Sequence, residues 1–193
     1  MGKPTLRRFK PGELGGGIVG KVIDFGFQVG LANAGLARVM GKAGVNTYIG
    51  ELGAGTYGLF TPDGPDGKPS IVLDRKLINK QTALHEGGHG IDSKNNWISD
   101  TKDSPFRTGG SNEATTEMQQ VLVHRFNRYV VPSENISQYA ALKRRLSGGY
   151  FSYMNSTKER FAEGYSQWQT NPRSFATYAP TLATWFRSNA PKL

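Results

Sequence analysis

Apolar positions in the first third of the chain step by three and four residues. Val22, Phe25, Val29, Ala32, Leu36 and Val39 share one face, which predicts one or two helices between Ile18 and Met40. Gly41 and Gly44 supply the stop. The pattern then shortens to runs of strand type at Asn46 to Gly50, Tyr57 to Thr61 and Ser70 to Asp74. The turn segment Pro62-Asp63-Gly64-Pro65-Asp66-Gly67 separates the last two. Helical spacing returns over Leu77 to Asp92. A polar loop is expected from Asn95 to Gly110, followed by helices at Asn112 to Val130, Ile136 to Leu146 and from Lys158 to Thr170. Gly148-Gly149 predicts a break between the last two, and Pro172 and Pro180 punctuate the end. A helix, a small sheet and then mostly helices is an α+β order.

The length of 193 residues suits one domain, expected here over residues 16–193 behind a flexible basic lead-in at 1–15. Neither internal repeats nor low-complexity segments interrupt it. The apolar stretch Gly15 to Val45 is broken by Lys21, Asp24, Gln28, Asn33, Arg38 and Lys42, so it reads as a core helix, with a membrane-contacting helix as the alternative, and no transmembrane segment is expected. The basic start, Met1 to Lys10, is not followed directly by an apolar core of signal-peptide type. There is no cysteine, which excludes disulfides, thiol catalysis and cysteine metal ligands. The formal net charge of +9 favours an acidic partner without identifying one.

His85-Glu86-Gly87-Gly88-His89 changes that picture. On a helix, side chains at i and i+4 stand one above the other, so His85 and His89 can share a Zn²⁺, and Glu86 can take a proton from a water there. Two of the three histidines of the chain stand in this motif. Gly87, Gly88 and Gly90 each cost a helix about 1 kcal/mol relative to Ala, so metal or close packing must compensate.

Catalytic zinc commonly takes three protein ligands and a water. Asn95 occupies the position where a third His would complete the metzincin arrangement, which leaves His124 and the carboxylates. Glu113 with Glu117, and Glu159 with Glu163, are pairs at i and i+4; the first of each could ligate while the second orients a ligand His. Both pairs have plainer roles open to them. Ser156-Thr157-Lys158-Glu159 has the form of a capping box, and Glu113 and Glu117 suit a first helical turn. Phe161, Tyr165 and Trp168 form a stripe expected in the core.

Residues 34–193 resemble the zincin metallopeptidases, and among them the protease domain of anthrax lethal factor and related bacterial toxins. The resemblance rests on His85-Glu86-Gly87-Gly88-His89-Gly90-Ile91-Asp92 and on Glu159-Arg160-Phe161-Ala162-Glu163-Gly164-Tyr165. It implies a zincin-like fold and a zinc metalloendopeptidase of gluzincin type. His85, His89 and Glu159 would be the ligands, Glu86 the base and Tyr153 the oxyanion donor. Tyr153 precedes Glu159 by six residues where that family has seven, so Tyr150 stays a second candidate. The separation of His89 from Glu159 is longer than in the family. Asn-Glu-Ala-x-Thr-Glu at 112–117 also resembles the third-ligand motif of thermolysin-type enzymes, at close to that group's spacing.

The resemblance further suggests a bacterial or phage-borne toxin or effector, secreted or injected, with a processing peptidase as the alternative. It would act on a specific protein or peptide and pair with an acidic partner such as an immunity protein. Substrate is expected to add as an extended strand to a sheet edge near Tyr57 to Asp74. The competing reading is a basic protein that contacts nucleic acid or an anionic surface and carries an incidental His-Glu-x-x-His helix. It rests on charge alone. No finger, aromatic RNA-binding signature or basic-helix pattern accompanies it, so nucleic acid is not the expected partner.

Overall fold

β-Branched and aromatic residues bounded by turn chemistry become strands where the pattern predicts them. The structure, a computed structural model, describes residues 7–8, 35, 38–50, 52, 55–64, 67–74, 79–98, 105–106, 111–126, 137–146 and 148–191. The strands are β1 (Arg7–Arg8), β2 (Asn46–Gly50), β3 (Gly58–Thr61) and β4 (Ser70–Asp74). They form one mixed sheet in the order β1-β2-β4-β3. β4 runs parallel to β2 and antiparallel to β3, with Ile71 opposite Thr47 and Phe60. Its central place explains why all five of its residues are buried. Arg7 and Arg8, inside the basic lead-in, pair antiparallel with Ile49 and Tyr48 along one edge of β2.

The helices are α1 (described over residues 38–42), α2 (Lys80–Asn95), α3 (Asn112–Arg125), α4 (Gln138–Arg145), α5 (Gly148–Met154), α6 (Thr157–Thr170), α7 (Pro172–Tyr178) and α8 (Pro180–Asn189). The fold is therefore α+β, with a small mixed sheet and a mostly helical second half. Most of the helix expected at 18–40 lies outside the described residues. Gly41 remains helical, and the chain turns at Gly44, whose φ of 76° suits glycine.

Two expectations fail. Gly148-Gly149 opens α5 rather than breaking the chain; the glycines fall in a first turn, where backbone N–H groups need no helical partner, and Phe151 and Met154 bury the helix. The loop after α2 is not simply polar, since Ile98 and Phe106 are buried.

By packing, the chain divides into two compact units, residues 1–95 and 96–192. The core of the first contains Met40, Ile71, Leu73, Leu84 and Ile91. α2 lies so close to its neighbours that a Cβ on Gly90 would stand 2.8 Å from Met40 Sδ and 3.4 Å from Val45 Cγ1. The second unit has an aromatic core. Phe161 meets Phe106 edge-on at 4.7 Å, and Trp168 stacks on Phe186 at 5.4 Å. Leu122, Phe126, Leu142, Phe151 and Met154 form a further apolar cluster in the same unit. Phe161, Tyr165 and Trp168 are all buried, as the stripe predicts. Among the described residues no helix is long and apolar enough to cross a membrane.

Candidate metal centre

Asn79 starts α2: its Oδ1 accepts from Thr82 N–H at 2.9 Å, and its carbonyl accepts from Ala83 N–H at 3.0 Å. His85 and His89 follow one turn apart on this helix. Their rings lie 4.9 Å apart, edge to face, and both are half-buried. Phe60 of β3 stacks on His89 with centroids 6.1 Å apart and planes 26° from parallel. Glu86 is 9% exposed, and its stem runs against β3 at Gly58.

Glu159 stands in the first turn of α6. Ser156 caps this helix, its Oγ accepting from Glu159 N–H at 3.4 Å. The cap uses the backbone N–H of Glu159 and not its side chain. That carboxylate is 6% exposed, and Glu159, His85 and His89 each offer one ligand atom. Among the described residues this is the group of three that could hold a metal ion. Two imidazoles and a carboxylate are a donor set that suits Zn²⁺.

The other sequence candidates have different surroundings. Glu113 is exposed on the first turn of α3, as the dipole reading expects. Glu117 is not an ordinary first-turn acid. It is buried, and its two carboxylate oxygens accept from Thr181 N–H at 3.0 Å and Leu182 N–H at 2.8 Å. Those N–H groups belong to the start of α8, where Ala179 at the N-cap has no side-chain acceptor to give. Glu163 is buried too; it accepts from Gln167 Nε2 at 2.9 Å and faces Arg125 Nε at 3.6 Å.

His124 is exposed and stacks on Tyr178, with centroids 3.6 Å apart. Burial of part of its ring holds its pKa below the usual histidine value. The Tyr178 hydroxyl donates to Gln167 Oε1 at 2.6 Å, and burial, with the charge of Glu163 adding to it, pushes the phenol up to about 12. Tyr153 is 56% exposed on α5, so its ring is not a core residue. Tyr150 is also exposed and meets Phe126 edge-on at 6.1 Å.

The sequence pattern misses the contact that Gly58 makes and the role that Glu117 takes. Gly58 matters through a contact with a helix more than twenty residues later, which periodicity does not encode. Glu117 matters through a helix far downstream, and the one signal for it was the apolar Ala179 ahead of Pro180. Comparison with family models, with curated proteins and with solved structures finds no match to this chain.

Proposed function

We propose that the chain is a zinc-dependent endopeptidase of zincin-like fold that hydrolyses a peptide bond in a protein or peptide substrate. The observation that carries this reading is the pair His85 and His89, one turn apart on α2 with Glu86 between them, together with the buried Glu159 of α6, a set that could hold a metal ion. His85, His89 and Glu159 would hold the metal. Bound zinc supplies a Lewis acid that acidifies water and polarises a carbonyl.

The remaining work belongs to the chain. Glu86, one residue on from His85, accepts a proton from the attacking water and returns it to the leaving amine. Its burial beside β3 limits the positions its carboxylate can take, which favours a base set before substrate arrives. Tyr153 donates its hydroxyl to the oxyanion as charge develops, with Tyr150 as the second candidate. Among the described residues β3 ends the sheet order, so an extended substrate segment can pair at that edge. Exposed Tyr57 and Leu59 flank the position of Gly58 there. The resemblance to toxin proteases suggests a bacterial or phage-borne effector with a specific protein target and an acidic partner that restrains it.

Glu86→Gln tests the mechanism. An amide cannot accept the proton, so turnover should fall by roughly 10²–10⁴-fold while zinc content and thermal stability hold. Near-normal proteolysis by a zinc-loaded Glu86→Gln chain would overturn the mechanism.

A further inference from the structure

Strand residues at i and i+2 share a face, so Gly58 and Phe60 of β3 both turn toward α2, while Leu59 is exposed. Phe60 meets the imidazole of His89. Gly58 meets Glu86: a Cβ at this position would stand 2.7 Å from Glu86 Cγ, 3.1 Å from its Oε1 and 3.0 Å from Thr82 Cγ2. Thr82 lies one turn before Glu86 on the same helix face. The stem of Glu86 is thus confined on one side by its own helix and on the other by strand backbone. Only glycine leaves that space.

We infer that Gly58 is a positioning residue, and that β3 sets where the Glu86 carboxylate stands. The inference rests on Glu86 being the base of the proposed peptidase. A glutamate has three side-chain torsions to fix. A catalytic group misplaced by 1 Å can lose about 10²-fold in rate, so a strand that removes the alternative rotamers contributes directly to turnover. The atoms nearest a methyl group at position 58 belong to Glu86 and Thr82, neither of them a proposed ligand. A substitution there therefore separates the base from the ligands.

Two measurements test this, one independent of activity. In the metal-free chain, Gly58→Ala should lower the melting temperature, and most of that loss should vanish when Glu86→Ala removes the opposing stem. In the zinc-loaded chain, Gly58→Ala should keep its zinc and its KM for a mixed-sequence quenched-fluorescent peptide, while kcat falls about 10²-fold. On the Glu86→Gln background the same substitution should cost almost nothing further. Full kcat in Gly58→Ala beside an inactive Glu86→Gln overturns the positioning role and leaves the base in place. A fully active Glu86→Gln chain overturns both. If Gly58→Ala fails to fold, recovery of folding in Gly58→Ala/Glu86→Ala supports the contact, and failure of both variants overturns it.

Discussion

Between His85 and Asp92, α2 has three glycines in eight residues, whereas α6 buries Phe161, Tyr165 and Trp168 in little more than two turns. Both helices carry candidate ligands, yet they are stabilised in different ways. α6 fills its surroundings with its own aromatic rings, which bring large apolar area and edge-to-face contacts. α2 contributes little bulk. Its backbone instead comes close to Met40 at Gly90, and the side chain of Glu86 lies against strand backbone at Gly58. Helix propensity disfavours α2 and packing offsets that cost. In each case the chemistry-bearing residue sits on an element held by something other than itself, which is how a reactive side chain is fixed without filling its site.

Removing bulk should therefore hurt α6 most. Phe161→Ala opens a cavity among Phe106, Trp185 and Phe186 and should cost about 3–5 kcal/mol in denaturant unfolding. A loss under about 1 kcal/mol would mean that the aromatic cluster is not what holds the helix.

Glu117→Ala should follow at about 1–3 kcal/mol, because two N–H groups at the start of α8 lose a charged acceptor and Ala179 cannot replace it. Glu113→Ala, on the same helix but exposed, should stay within about 0.5 kcal/mol in the same experiment. Equal losses at the two positions would remove the special role assigned to Glu117.

The smallest effect belongs to α2. Ala at an open helical position gains about 1 kcal/mol over Gly, but a Cβ at position 90 must displace the Met40 thioether. Gly90→Ala should therefore fail to stabilise the chain. A gain of the full amount in thermal unfolding would show that close approach is not why glycine stands there.

Much of this architecture was legible beforehand, for reasons that differ by element. Asn46–Gly50 and Ser70–Asp74 emerge with the expected bounds because short β-branched runs between turn residues have few other solutions. α3 follows from three-four spacing, and α6 from that spacing and the capping box at Ser156. Gly148-Gly149 misleads because glycine interrupts a helix interior but is tolerated in a first turn. Phe106 misleads because one ring inside a polar segment carries no period, yet the aromatic core takes it up completely. In the site, His85, Glu86 and His89 were written in one local motif. The choice between Glu159 and Glu113 was not, since both have the same helical pairing and a first-turn position. Burial separates them: Glu159 is 6% exposed and Glu113 is on the surface.

Metal content decides the central claim most directly. Freshly purified chain, dialysed against a mild chelator and weighed by native mass spectrometry, should retain about one zinc per molecule, as a site with three protein ligands holds. Glu159→Ala should lose that zinc, while Glu113→Ala keeps it and Glu86→Gln keeps it as well. A wild-type chain without zinc, or zinc retained in Glu159→Ala and lost in Glu113→Ala, would contradict the site described by His85, His89 and Glu159.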